Sequence, residues 1–306
     1  MLSLISSRLL QGLITLLVVS FAVFALAHAS GDPVNVMLPI EATLEEREAL
    51  AERMGFDDPL HVQYWRYLTN AMQGDFGDSI RTGEPASTLV AGRIGTSLTL
   101  ATVALVLTLV VSIPLGVLAA VMRGRWLDRA AMAVSLGGQA VPVFWIGPIA
   151  VLIFAVRLGW LPTAGTTSWR HYVLPSLVLS WGIAAGIVRL LRSTMLETLD
   201  SEYIKLARSK GVHERVVVWK HALRNGMIPV ITLIGLMYGV IVTGVIVVEV
   251  VFAVPGLGRL GYEAVQWRDF PVLQLTVLVF VFVIVLVNFL VDISYGIIDP
   301  RARSPR

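Results

Sequence analysis

The sequence predicts an all-α integral membrane protein with six transmembrane helices and a small helical segment outside the membrane between the first and second. Three observations carry this. The 306 residues are 56% hydrophobic and 15% charged, with mean hydropathy +0.77, whereas soluble domains carry about 25% charge. Six runs (9–31, 94–122, 130–156, 171–188, 225–248 and 270–291) hold no Asp, Glu, Lys or Arg. Each is about as long as the roughly 20 residues a spanning helix needs, and one charge at a span's centre costs about 2.5–3.5 kcal/mol. Finally, with both termini in the cytoplasm, 14 Lys and Arg fall in cytoplasmic segments and nine outside. That is the sign the positive-inside rule requires.

The first run follows Arg8, and its apolar stretch from Leu9 to Ala27 exceeds a signal-peptide core of about 7–15 residues. Residues 1–29 are therefore expected to be an uncleaved anchor, although "ALAHAS" offers small residues near its end. Residues 30–93 form the extracytoplasmic segment. There "TLEE" (43–46) reads as a capping box. "DDPL" places Asp58 at an N-cap and Pro59 at the first helical position. Leu60, Tyr64, Tyr67, Leu68 and Ala71 keep helical spacing, and "QGDFGDS" (73–79) reads as a turn. The expected role is a helical cap over the bundle that also helps to dock an outside partner. Ser79 lies on this outer side.

Residues 94–306 are expected to form a five-helix core with a cytoplasmic loop at 192–227. Pro114, Pro142, Pro148 and Pro175 interrupt the runs, which membrane bundles tolerate because neighbouring helices satisfy the freed backbone groups. Gly182 with Gly186, and Gly235 with Gly239, are GxxxG pairs that permit close helix approach. With Pro142 they are expected at helix packing or pathway positions. Arg189 and Asp292 sit near the inner ends of their runs and are expected to pair. Glu249 ends the fifth run on the outer side.

Several chemistries are excluded. No cysteine occurs, so there are no disulfides and no thiolate chemistry. There is no Gly-Lys pair and hence no phosphate-binding P-loop, and neither HExxH nor GxSxG is present. The five histidines are scattered, so no metal, cofactor or catalytic set is expected. The basic residues are spread between apolar runs, which argues against nucleic acid.

The polar stretch "EYIKLARSKGVHERVVVWKHALRN" (202–225) contains all three lysines of the chain. Two helices are expected, over 201–210 and 212–224, with Ser201 capping the first and Gly211 ending it. In the second, Val212, Val216, Trp219 and Leu223 make a stripe that lies against the bundle. The other side, with Val217, Val218, His221 and Arg224, is left as a surface helix or a docking site for a soluble protein. Ser209 lies in this loop, on the cytoplasmic side.

"ARSKGVHERVVVWKHALRNGMIPVIT" (207–232) resembles the coupling loop of binding-protein-dependent ABC importer permeases, in the dipeptide, oligopeptide and nickel subfamily. Lys205-Leu206-Ala207 stands where the general family has Glu-Ala-Ala; Gly211 is its glycine, and Pro229 follows in place of a Leu-Pro. "GDP" (31–33), "GDFGDS" (74–79), "LGWLP" (158–162), "VVEVVFAVPGLGRL" (247–260), "RDFPVLQ" (268–274) and "DPR" (299–301) extend the resemblance almost end to end, nearest to dipeptide and glutathione members. The resemblance implies the type I ABC importer permease fold in a bacterial inner membrane. It implies one half of a pore, completed by a second homologous permease, two cytoplasmic ATPase subunits and an extracytoplasmic substrate-binding protein. ATP hydrolysis would belong to the partners. Glu202, Tyr203, Lys205, Ala207, Lys210, Gly211, Val217, Val218, His221 and Arg224 would couple to the ATPase. Dipeptides, oligopeptides or glutathione would be the cargo. The alternatives are nickel within the family and, outside it, an ATP-independent channel or secondary transporter.

Overall fold

The computed structural model describes residues 2–29, 43–54 and 57–298. Among these, the regular structure is helical apart from one isolated antiparallel bridge between Asp78 and Pro85. The chain forms two compact units, residues 1–95 with 255–306, and residues 96–254. Helix α4 (Ala86–Val121) begins in the first and continues in the second.

The first unit contains α1 (Leu2–Ala29), α2 (Leu44–Met54), α3 (Leu60–Met72), α10 (Leu257–Gln266) and α11 (Phe270–Ile298). Helices α1 and α11 pack so closely that a Cβ at Gly12 would come within 2.7 Å of Val285. The amphipathic helix α3 is anchored on the C-terminal half of α1. Ser20 Oγ lies 2.7 Å from the Tyr64 hydroxyl, and His28 Nε2 lies 2.9 Å from Gln63 Oε1. The rings of Phe21 and Phe24 meet Tyr64 at 5.1 and 5.4 Å. Burial, and then the neighbouring Tyr64, push the Tyr67 phenol up to about 12.

The capping box forms as expected: Thr43 N–H donates to Glu46 Oε2 at 2.9 Å, and Glu46 N–H to Thr43 Oγ1 at 3.3 Å. At the next helix the expectation is corrected by one residue. Pro59 itself is the N-cap (φ −55°, ψ 141°), and α3 starts at Leu60. The Asp58 carboxylate is drawn instead to Arg66, at 2.6 Å. Ser79 is not open to outer solvent, because it is buried and donates to Asp269 Oδ2 at 2.5 Å, while Ile80 N–H donates to Oδ1 at 3.1 Å. This clamp closes the turn over a small core that includes Ala86, Val90, Leu257 and Val272.

The second unit contains the rest of α4, then α5 (Trp126–Ala140), α6 (Val143–Arg157, its last seven residues a wider π turn), α7 (Arg170–Leu199), α8 (Glu202–Ser209) and α9 (Glu214–Val251). Helices α1, α4, α7, α9 and α11 are long and apolar enough to cross a membrane, and α5 with α6 makes a sixth span if the pair counts as one. That span is not straight. Its halves meet at 106°, because the residue before a proline is kept out of the helical region. Val141 is extended (φ −101°, ψ 119°), and Pro142 caps the second half.

Helix α7 is the centre of the second unit. A Cβ at Gly116 of α4 would lie 2.9 Å from Leu191, and one at Gly138 of α5 would lie 2.8 Å from Trp181. Gly182 permits the same close approach from the α7 side, with the Gly138 carbonyl 3.2 Å from where its Cβ would stand. Gly186 faces the Gln139 amide at 3.4 Å. Gly235 is buried, whereas a Cβ on Gly239 would point into open space. The two GxxxG pairs are therefore not equivalent: the first packs α7 on α5, and the second has one glycine with nothing against it among the described residues.

Candidate functional site

The polar loop is a compact hook between α7 and α9. Helix α7 stops at Leu199, and Ser201 begins α8 in an extended conformation (φ −72°, ψ 152°). Its hydroxyl does not cap α8 as expected. It turns back to donate to the Thr198 carbonyl at 2.5 Å, satisfying the end of α7 instead. Gly211 does end α8. It takes φ +78°, its N–H donates to Arg208 O at 2.9 Å, and Val212 N–H donates to Ala207 O at 3.2 Å. This is a Schellman closure, in which a left-handed residue lets two amides reach back to the last turn.

His213 then caps the next helix, its Nδ1 accepting from Arg215 N–H at 3.2 Å. The second helix starts at Glu214, two residues later than expected, and does not stop at 224. It runs on into the membrane as α9. Arg208 spans the corner with two bonds to Glu214, at 2.7 and 3.1 Å. The Glu214 carboxylate holds the Arg208 guanidinium above its ordinary range. Asn225 Nδ2 donates to the Tyr203 hydroxyl at 2.7 Å and ties α8 to the first turns of α9. The Lys205 ammonium is raised by its bond to Glu202, 2.7 Å away, on an exposed face.

The hook is seated by apolar groups. Ile204 and Val217 are 0% exposed and Val218 is 5% exposed; with Ala222 they join the core of Leu191, Met195 and Leu199. This overturns the expectation that Val217 and Val218 face outward. The stripe proposed for the bundle side is also split. Val212 and Leu223 do pack on the core, but Val216 and Trp219 are exposed. Val216 precedes the π turn of Val217–Ala222 and Val217 opens it; the helix lays its other apolar face, Val217, Val218 and Ala222, on the core of α7. The exposed surface consists of Tyr203, Leu206, Val216 and Trp219 among Glu202, Lys205, Lys210, Arg215, Lys220 and Arg224. Ala207 and His221 are half-buried at its edge. Leu206 and Trp219 were not legible as surface residues, since an apolar side chain does not announce whether its face packs on the core.

Behind the hook, Arg192 of α7 forms a bidentate pair with Asp128 of α5, at 2.5 and 2.8 Å, and Gly124 N–H adds a third bond to that carboxylate at 2.9 Å. Thr194 of α7 donates to the Gly226 carbonyl of α9 at 2.8 Å. Arg189 donates to Gln139 of α5; the side chain of Asp292, its expected partner, lies outside the described residues. Near the other end of α9, buried Glu249 accepts from Ser97 of α4 at 2.5 Å.

Apolar helices around a short polar hook make a multi-pass membrane scaffold, and comparison with known proteins places it. Residues 112–304 match the family model of the binding-protein-dependent transport system inner membrane component, and residues 1–113 match the N-terminal model of the same membrane components. The chain is similar to "Glutathione transport system permease protein GsiC" of Salmonella paratyphi A (43% identical over 304 residues) and to the proteins of that name in Escherichia coli and Shigella flexneri (42%), covering 99% of each chain. Its fold is similar to that of a chain of the MetNI methionine ABC transporter in an inward-facing conformation, with TM-score 0.60 and 20% identity, covering 69% of this chain and 96% of that one. The chain belongs to the family of binding-protein-dependent transport system inner membrane components: it is a multi-pass permease subunit of an ABC importer.

Proposed function

We propose that this permease imports small peptides, glutathione among them, and that its hook at 192–227 is the element through which ATPase subunits move it. Full-length identity to three glutathione permeases supports the cargo. The hook's construction supports the coupling role. It is bonded to both α7 and α9 at one end of the bundle, so a push on α8 is passed to two spans at once. In this reading Leu206 and Trp219, ringed by Lys205, Lys210 and Lys220, seat in a groove of the ATPase. Glu202, Tyr203, Ala207, Gly211, His221 and Arg224 complete that surface or hold its shape. Val217 and Val218 act from beneath, as its anchor. A second homologous permease would complete the pore, two ATPases would drive it from the cytoplasm, and an outer binding protein would deliver the peptide. The motion is a rigid-body rocking between two states.

The carrying observation is the left-handed Gly211 at the corner, with nothing within 4 Å of its missing Cβ. A side chain there meets no neighbour and is opposed only by the backbone, at about 1–2 kcal/mol. Gly211→Val should reshape the corner, and Ala207→Arg should crowd the docking face. Both chains should still insert, but retain less ATPase in pull-down and lose ATP-driven uptake in vesicles supplied with binding protein. Normal retention and normal uptake in both variants would remove the hook from the mechanism. The ligand that co-purifies with the cognate binding protein tests the cargo separately.

The orientation of this reading has both termini in the cytoplasm. Because the chain has no cysteine, single cysteines report it cleanly. Glu84→Cys should react with an impermeant thiol reagent in intact cells, and Ser209→Cys only after the membrane is opened. Glu84 is used because it is exposed where Ser79 is buried. Labelling of Ser209→Cys in intact cells reverses the orientation.

A further inference from the structure

The broken third span encloses something other than a helix–helix contact. In the angle between α5 and α6, bounded by α7 and α4, lies a cavity of about 610 Å³. It runs along α7 from Leu174 to Val188, which at 1.5 Å per residue is about 21 Å, a large part of a hydrocarbon layer about 30 Å thick. Its other walls include Leu115 of α4, Ala131 and Val134 of α5, and Ile149 of α6. The lining is aliphatic and aromatic apart from Ser135 and Ser180, and the Ser180 hydroxyl is already engaged with the Leu177 carbonyl at 3.0 Å. The space is a groove open along one side, and its walls offer water few hydrogen-bond partners.

The end of α5 that leads into this cavity is cationic. Arg123, Arg125 and Arg129 cluster around its first turn, and Arg192 reaches it from α7. Two of the four are neutralised within the chain, Arg192 by Asp128 and Arg123 by Asp200. Arg125 and Arg129 are exposed and have no carboxylate partner among the described residues. Between them Trp126 is 74% exposed, as aromatic rings are where a helix meets the membrane interface. Leu127 and Ala130, the neighbours of these residues, line the cavity itself. One helical turn therefore presents unpaired cations and an interfacial ring on one side, and opens into a long apolar slot on the other.

We infer that this slot holds one acyl chain of an anionic glycerophospholipid, with the lipid phosphate on Arg125 and Arg129. The charge chooses this occupant over a zwitterionic lipid and over an apolar helix of another subunit. Basic pockets between transmembrane helices hold acidic headgroups, and an apolar helix would leave both arginines unanswered. A lipid wedged beside the bend also supports α5 against α7 where the chain itself leaves a void. The inference does not rest on the cargo or the coupling role.

The test is native mass spectrometry of the full chain in mild detergent, titrated with phosphatidylglycerol or with phosphatidylcholine of the same acyl chains. Wild-type protein should retain one phosphatidylglycerol roughly 30-fold more tightly than phosphatidylcholine, the preference two interfacial arginines provide. In Arg125→Ala/Arg129→Ala the preference should fall to near unity while one lipid is still retained. Ala131→Phe, or the milder Ala184→Leu if the first elutes aggregated, should fill the slot and lose the tight lipid of either kind. Equal wild-type affinity for the two lipids overturns the inference. So does unchanged retention in the filled variants, which is the behaviour of annular lipid. Loss of a co-purifying second permease in those variants, with lipid retention intact, also overturns it and gives the slot to a protein partner.

Discussion

Helices α1 and α7 come from the same kind of apolar run, but the fold uses them in opposite ways. In the most apolar stretch of α7, 61% of positions are buried, against 17% in α1. Yet α7 is the least hydropathic of the five long helices. Between these two helices burial and hydropathy run in opposite directions, as they can where lipid and not water is the solvent. A side chain facing lipid must be apolar, so α1 shows Leu9, Leu10, Leu13 and Val18 to its surroundings. A side chain facing other helices is chosen for fit and for satisfied polar contacts. Helix α7 accordingly carries Ser180, Gly182, Gly186, Arg189 and Arg192. It meets α5 at the Arg192–Asp128 pair and at Gly138, and it meets α9 through Thr194.

The contrast can be broken most forcefully at the pair. Asp128 is 5% and Arg192 26% exposed at the side chain. Asp128→Ala removes the carboxylate and leaves a largely buried guanidinium without it, which should cost about 3 kcal/mol. The thermal midpoint of the full chain in detergent measures this, and an unchanged midpoint would show that α7 is held without the pair. Next in size is a matched truncation. Leu191→Ala on α7 empties a site that is 0% exposed and should cost about 2 kcal/mol, mostly through the cavity it leaves. Leu13→Ala on α1, at a position 56% exposed, should shift stability by less than about 0.5 kcal/mol. Equal losses in the two would dissolve the distinction between the helices. A smaller loss than at Leu191 is expected at Gly138→Val, which must displace the Trp181 ring and should cost about 1 kcal/mol. A local readout serves best here: the Trp fluorescence of the variant should differ from that of the parent while its α-helical circular dichroism does not.

Much of this protein was legible without its fold, for a physical reason. A membrane forbids charges and unsatisfied backbone over the full length of a span, so six charge-free runs announce six crossings. The capping box at Thr43 and Glu46 and the left-handed Gly211 are equally local, because each is decided by atoms within one turn of backbone. The tertiary structure alone decided matters in which a neighbour's atoms enter the balance. Ser201 turned back to α7 rather than forward to α8, and Asp58 turned to Arg66 rather than to its helix end. Pro142 was visible as an interruption, but not that its run would bend by 106° where Pro114, Pro148 and Pro175 stay inside helices. The reversal of Val217, Val218, Val216 and Trp219 came from which face met Leu191, Met195 and Leu199, which periodicity does not show when both faces carry valines. The sequence by itself determined what must cross the membrane and where the chain must turn. Which face of each helix looks inward was settled by packing, since lipid and protein interior are both apolar and hydropathy cannot tell them apart.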